Sequence, residues 1–480
     1  MGVFFLYNRH MNNIYVTTAI PYVNGKPHLG HACDYLLADI YARYQNGKGK
    51  SVRFQAGTDE HGNKIYKKAK ELDIPVSKYV DENSKNFQDF IHKLGVEYTD
   101  FIRTTDESHE QSVQKIWEKL KDHIYSADYE GWYCEGCESF VTDKEYAENN
   151  GICPDHQTKY QRLSESNYYL RISDFKDQIK EAIESGKMLV LPEFRKKEIL
   201  KLLADSPDVS ISRPTSQLTW GVPVPGDDGQ VMYVWVDALS NYITVLGYPE
   251  QDISDFWPAN VQIVGKDILR FHAIIWPAML LGLGLPLPKV ILSHGFILAN
   301  GQKMSKSIGN VVDPIEVLER HGLDAFRYFF TRHIDTFADS DFTWEKYDAA
   351  YENELANDLG NLVQRLATLC GKNDVSVPDF SAAPDAEYTD YMDNFEFTKA
   401  IEYAWGKVQD INRRIDDTKP WALVKEDKDA GRELLASLVS DLLSANELLK
   451  PFLPDVTAKI SDIFTAKTIT PPETPLFPKN

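Results

Sequence analysis

Between Ile14 and about Thr105, short apolar runs such as IYVTTAI and SVRFQAG alternate with helical patterns such as KIYKKAKEL. Alternation of this kind marks a parallel sheet covered by helices, and it restricts the fold more than any other feature of the chain. The first run, residues 14–20, is rich in β-branched residues and meets the breakers Pro21, Asn24-Gly25 and Pro27, which predicts a strand followed by a turn. Leu29, Cys33, Leu36, Leu37, Ile40 and Tyr44 then recur at helical spacing until Gly47 and Gly49 end the pattern. His28 and His31 therefore fall in the first helical turn, on one face. A helix N-terminus after a strand presents unpaired N–H groups and partial positive charge, so imidazoles there can join in holding phosphate oxygens. Gly30 leaves room for a ligand to approach the backbone. An H-x-x-H pair is also compatible with ordinary surface or capping histidines, so a second signal is required.

The chain has 480 residues and is 43% hydrophobic, enough for several buried cores and roughly two to four domains. No stretch approaches the ~18 consecutive apolar residues of a membrane span. The opening MGVFFLYNRH lacks the basic region of a signal peptide, so a cytoplasmic address is expected, with Met11 a natural start. A net charge of −20 argues against a general polyanion binder, though not against a specific one. Five cysteines are too few and too odd a number for a secreted disulfide framework, so their spacing matters more than their count.

The βα pattern fills residues 11–119. A polar, turn-rich, cysteine-bearing stretch at 120–165 reads as an insertion rather than a sheet strand, and 166–230 as its remainder. Further buried strands are expected at 231–239 (VMYVWVDAL), 261–269 (VQIVGKDIL) and 289–298 (KVILSHGFIL), within a second half of the sheet at 231–344. From 345 to 463 long amphipathic patterns with little strand signal predict an all-α domain. The tail, 464–480, is proline-rich and expected to be extended.

The second signal is GQKMSKSIGN at 301–310, a glycine-bounded loop in which Lys303 and Lys306 are separated by small polar residues. Ammonium groups on a mobile loop suit a triphosphate, although KxSKS alone is also compatible with a solvated turn. Phosphate motifs of other kinds fail: there is no G-x-x-x-x-G-K-[ST], and GLGLPL at 282–287 lacks the third glycine of a dinucleotide fingerprint. The third signal is Cys134-x-x-Cys137, then Cys153-x-x-His156. Three thiolates and an imidazole make a closed tetrahedral set with no position left for water, which predicts one structural zinc.

In this order and on this framework, HLGH and KMSKS resemble the paired HIGH and KMSKS signatures of the class I aminoacyl-tRNA synthetases. The single knuckle between them, with AIPYVNGKPHLGH, GTDEHG, YVWVDAL and GKDILRFHAIIWPAML, extends the resemblance over nearly the whole chain to the methionyl-tRNA synthetases. The resemblance implies an α/β fold: a Rossmann-like catalytic domain with a zinc-knuckle insertion, then an all-α anticodon-binding domain. It implies a methionine–tRNA ligase that activates L-methionine with ATP and Mg²⁺, releases pyrophosphate and transfers methionyl to the 3′-terminal ribose of tRNA(Met). The matching catalytic positions are His28, His31, Lys303 and Lys306, and those for ATP add Gly30, Gly265, Asp267, Ser305 and Ser307. The methionine pocket maps to Ala19, Ile20, Tyr22, Trp235, Ala238, Tyr242, Ile268 and His272. Asp59 takes the substrate ammonium, supported by Arg213, and Asn361, Arg365 and Trp421 read the anticodon. Leu239 departs from the proline often found after the pocket alanine.

No protein nucleophile is needed for such a reaction, so catalysis rests on positioning and electrostatic stabilisation. The leucine, isoleucine and valine enzymes carry a large editing domain for which the stretch between His28 and Lys303 leaves no room. A cysteine enzyme would place a zinc-binding cysteine where this chain has Ala19-Ile20-Pro21-Tyr22. A small nucleotidylyltransferase would lack the helical module, and a zinc-stabilised RNA-binding protein without catalysis would not need both histidines and both lysines. The family's optional C-terminal dimerisation module finds no match, so a monomer is expected.

Overall fold

The computed structural model describes residues 12–135, 137, 139–304, 310–375 and 380–479. The expected opening pattern is present as β1 (Asn13–Thr18), α1 (Leu29–Gly47), β2 (Ser51–Thr58) and β3 (Asp100–Arg103), followed by α2 (Glu107–Leu120). β4 (Leu189–Leu191), β5 (Val261–Gly265) and β6 (Val290–His294) complete a six-stranded sheet in the order β3-β2-β1-β5-β6-β4. Every neighbouring pair is parallel. The strand order reverses between β1 and β5, paired from Val16↔Val261 to Thr18↔Ile263. A crevice beyond the carboxyl ends of the strands at such a reversal is where open α/β sheets take their ligands.

Three sequence expectations are corrected. VMYVWVDAL is not one strand: a strand at Asp227–Met232 ends at Tyr233, and α3 (Val234–Thr244) carries the rest. The cysteine-bearing stretch is more than turns, because Ile124–Cys134 and Gln161–Leu170 form the centre of a four-stranded antiparallel sheet. The segment expected as the remainder of the insertion returns to the main sheet, where Leu189–Leu191 pairs with β6 as its edge strand.

Beyond α4 (Leu323–Arg332) and a short strand at Ser340–Phe342, which pairs with Ile297–Ala299, the described chain is mainly helical. Trp344–Ala349 continues through a π-helical stretch, Ala350–Gly360, into α5 (Asn361–Lys372). α6 (Phe397–Thr418), α7 (Pro420–Glu426) and α8 (Lys428–Leu449) follow. Of the expected leucine stripe, Leu355, Leu359, Leu362 and Leu366 are fully buried and Leu369 partly so. The proline-rich tail is not free: Phe477 is buried, and Tyr351 Oη donates to the Pro478 carbonyl at 2.6 Å.

One hydrophobic core runs without a break from the sheet face under α1 into the helical bundle, joining Val16 and Leu36 to Leu362, Trp405 and Leu438. Arg327 on α4 is fully buried in that junction. Its guanidinium donates to Asp39 Oδ2 on α1 at 2.7 Å, to the Leu94 carbonyl at 3.3 Å, and to the carbonyls of Phe452 at 2.7 Å and Pro451 at 3.0 Å. The helix that begins with the histidine pair is thus tied directly to the helical bundle.

Candidate active site

A cleft of about 880 Å³ opens at the strand reversal, between the ends of β1 and β5. Its lining includes His28, Gly30 and His31 from the start of α1, Gly265 at the end of β5, and Asp267 and Ile268 just after it. His28 is the N-cap of α1 and His31 its third residue; each ring accepts from the other's backbone N–H through Nδ1, at 3.4 and 3.2 Å. With both Nδ1 atoms accepting, the ring protons reside on Nε2, and the two rings stack at 3.6 Å. Burial, then the neighbouring His28 and His294, hold the His31 pKa well below the usual imidazole range. The pair therefore offers neutral N–H donors at a helix N-terminus, an arrangement suited to phosphate oxygens. A Cβ at Gly30 would sit 3.0 Å from the His28 ring, which explains the absence of a side chain there.

The other end of the cleft is apolar and aromatic. Ala19, Ile20, Tyr22, Trp235, Ala238, Tyr242, Ile268 and His272 all line it. Trp235 stacks on Phe271 at 3.8 Å. A π-helical turn, Phe271–Ile275, carries His272, whose Nε2 accepts from Tyr242 Oη at 2.7 Å while its Nδ1 donates to the Ile268 carbonyl at 3.0 Å. Burial lowers the His272 pKa to about 4, so the ring is neutral and the pocket wall carries no charge.

Asp59, directly after β2 and paired with Tyr22 by a parallel β-bridge, also lines the cleft. It is 8% exposed, and its Oδ1 has no hydrogen-bond partner among the described residues. Burial first, then the neighbouring Asp237, raises its pKa well above the carboxylate range. Its sequence neighbour Glu60 is occupied, with Arg103 donating to both oxygens at 2.8 Å. A buried carboxylate with a free oxygen facing a cleft is what a cationic substrate group requires.

The model for class I tRNA synthetases of the methionine type matches residues 14–166 and 158–367. Methionine–tRNA ligase of Caldanaerobacter subterraneus subsp. tengcongensis is 40% identical over 93% of this chain and 73% of its own length. That of Listeria innocua is 41% identical over 94% and 72%. This chain belongs to the methionine-type class I tRNA synthetases. The structure is similar to that of Mycobacterium tuberculosis methionyl-tRNA synthetase in complex with methionyl-adenylate, with a TM-score of 0.90 and 33% identity over 98% of this chain and all of that one. Against the apo form of the same enzyme the TM-score is 0.84, at 30% identity over 98% of each chain.

Of the residues assigned through family motifs, Lys303 lines the cleft, with Nζ 4.8 Å from the Phe296 ring centre. Ser305, Lys306 and Ser307 lie outside the described residues. Arg213 lies on the short strand Ser212–Pro214. It donates to Ser210 Oγ and the Ser212 carbonyl and lies over the Tyr233 ring, beside a smaller cavity with Lys67, Glu135 and Gln217. The strand geometry of Ser212–Pro214 holds it there, in antiparallel pairing with Gln230–Met232.

Sequence reasoning missed a second buried pair in the cleft, His294 at the end of β6 and Asp34 on α1, joined at 2.8 Å. Because His294 Nδ1 also faces the Gly295 carbonyl at 2.8 Å, both ring nitrogens act as donors, and Asp34 raises the imidazole pKa against the effect of burial. Asp34 stands three residues after His31 on the same helical face, a spacing that could have identified it.

Cys134, Cys137, Cys153 and His156 converge, their four ligand atoms all within 4.8 Å of one another. Ligand atoms about 2.3 Å from a common tetrahedral metal lie a little under 4 Å apart, so the set fits zinc. The knuckle is not remote from the cleft, because Cys137 is part of its lining.

In the helical bundle Asn361 is exposed at the first residue of α5. Arg365, one turn on, donates to Asp416 at 2.8 Å and Asn412 at 3.0 Å on α6. Trp421, five residues past Asp416 on α7, is 39% exposed and not a core residue. Lys419, in the left-handed region at φ 45°, makes the corner that turns α7 away from α6.

Proposed function

We propose that the protein is a methionine–tRNA ligase, activating L-methionine with ATP and charging tRNA(Met). The observation that carries the reading is the cleft itself. A histidine pair at a helix N-terminus, a buried carboxylate with one oxygen unpaired among the described residues and a neutral aromatic pocket all line one crevice.

Methionine fits with its ammonium at Asp59, its thioether among Trp235, Ala238, Tyr242 and His272, and its carboxylate towards the histidines. The carboxylate oxygen attacks the α-phosphorus of ATP, the bond to the β-phosphate breaks, and pyrophosphate leaves. His28 and His31 donate through Nε2 to the phosphate oxygens as charge grows on them, and Lys303 and Lys306 meet the departing pyrophosphate. Gly265 and Asp267 take the ribose, with Gly30, Ser305 and Ser307 completing the nucleotide site. Mg²⁺ arrives with ATP as part of the substrate and screens its phosphates. The adenylate carbonyl is then attacked by a terminal ribose hydroxyl of tRNA, releasing AMP.

Zinc held by Cys134, Cys137, Cys153 and His156 is structural, since four protein ligands leave no open position. Asn361, Arg365 and Trp421 offer amide, guanidinium and indole groups suited to splayed anticodon bases. No helix among the described residues is long and apolar enough to cross a membrane.

ATP–pyrophosphate exchange measured with each amino acid in turn tests the reading: methionine alone should support exchange. Stimulation by another amino acid and not by methionine would overturn it. The same assay tests Asp59. Because its pKa is raised, falling pH should neutralise it first and remove the charge that meets the ammonium, so the KM for methionine should rise as the medium is acidified. The dependence should vanish in Asp59→Asn, whose KM is high throughout; a wild-type KM flat across pH would refute this role.

A further inference from the structure

Behind the pocket wall lies a buried chain of charged groups that the reaction as described does not use. Asp237 sits on α3 between Trp235 and Ala238, is 1% exposed and does not line the cleft. Both its oxygens are occupied: Oδ2 by His61 Nδ1 at 2.8 Å and Oδ1 by His109 Nε2 at 2.9 Å. His61 lies in the turn two residues after Asp59, and its Nε2 faces Glu110 on α2 at 3.3 Å. His109, also on α2, closes the chain through Nδ1, which is hydrogen-bonded to Thr244 Oγ1 at the end of α3 at 2.7 Å. Three segments distant in sequence are thereby fastened together: the Asp59 turn, α2 and the helix of the methionine pocket.

The connection reaches Asp59 itself, whose carboxylate accepts from the His61 backbone N–H. Methionine has a charged end and an apolar end, and each must meet its own subsite at once. The two subsites sit on different segments, so their separation is set by whatever joins those segments. Displacements of well under an ångström suffice to lose such a fit. The chain is satisfied at both ends and throughout, which makes it rigid rather than merely buried. Burial alone would discharge it; instead the ion pair persists, with Asp237 held down at about 2 and His61 up at about 10.

We propose that Asp237, clasped between His61 and His109, is a positioning residue that fixes the ammonium site at Asp59 against the thioether pocket on α3, so that the two act as one methionine-sized receptor. This rests on the methionine-activating reading of the cleft. The test uses Asp237→Asn in the full chain, with L-methionine and 4-(methylthio)butanoate, which has the thioether and carboxylate but no ammonium, as probes. The KM for methionine in pyrophosphate exchange should rise about ten-fold, with kcat within about three-fold and the KM for ATP unchanged. Direct titration should find the preference for methionine over the deamino acid reduced at least about five-fold. His109→Gln, which breaks only the outer arm, should give a smaller change in the same direction. An unmoved methionine KM, an equal weakening of both probes, or a loss confined to kcat with a lowered melting temperature would each overturn the proposal. Absence of methionine-dependent exchange in the wild type would instead overturn the reading beneath it.

Discussion

Arg327→Met should destabilise the protein by about 3 kcal/mol or more, because removing one partner of a buried ion pair leaves the other partner's charge and several acceptors without compensation. Arg327 is fully buried and serves four acceptors at once. Three are carbonyls from two parts of the chain, and none is replaced by another donor when the guanidinium goes. Asp39 is better protected, since Arg43 Nε reaches it at 2.7 Å and the Glu97 N–H at 3.0 Å; its loss is therefore partial, and the expected cost lies towards the lower end of the range for buried pairs. Lysine in the same place keeps the charge but cannot fork to four acceptors, so Arg327→Lys should recover only part of the difference. Urea denaturation of both variants measures this directly. A loss below about 1 kcal/mol for Arg327→Met would mean that the junction between sheet and bundle does not depend on this residue. Because the hydrophobic core is continuous across the junction, catalytic and helical regions should lose structure together.

The strand, turn and helix around His28 and His31 were legible in the sequence because every signal there is local: β-branched run, breakers, then helical spacing. The cysteine–histidine cluster was legible for the same reason, its two pairs each fixed by a short turn. VWVDAL was misread because a short run of valine, tryptophan and leucine has no period that separates a buried strand from a buried helix. Only its neighbours decide, and Asp237 finds its partners 176 and 128 residues away in His61 and His109. β4 escaped notice because so short an apolar run as Met188–Leu191 has no period of its own; pairing with β6 makes Leu189–Leu191 a strand. Which groups share a buried site is set by packing over long sequence distances, and His294 with Asp34, 260 residues apart, illustrates why such pairs stay hidden.

Trp421→Ala should separate the two half-reactions. Removing an aromatic ring from beneath a stacked base costs about 1–3 kcal/mol, so tRNA charging should weaken about ten-fold or more. Exchange of pyrophosphate with ATP, which needs no tRNA, should stay near wild type, because Trp421 lies on α7 and lines no part of the cleft. A tryptophan packed in a core would give a different result, a stability loss of about 3–5 kcal/mol that falls on both activities. The observed exposure of 39% points away from that outcome, and the melting temperature should accordingly shift little. Arg365 sharpens the test. Its guanidinium is already held by Asp416 and Asn412, so it is preset at the end of α6 where Trp421 emerges, and Arg365→Ala should weaken charging with the same sparing of exchange. Both rates and the melting curve of Trp421→Ala decide the matter, and an equal fall in charging and exchange would remove this surface from tRNA recognition.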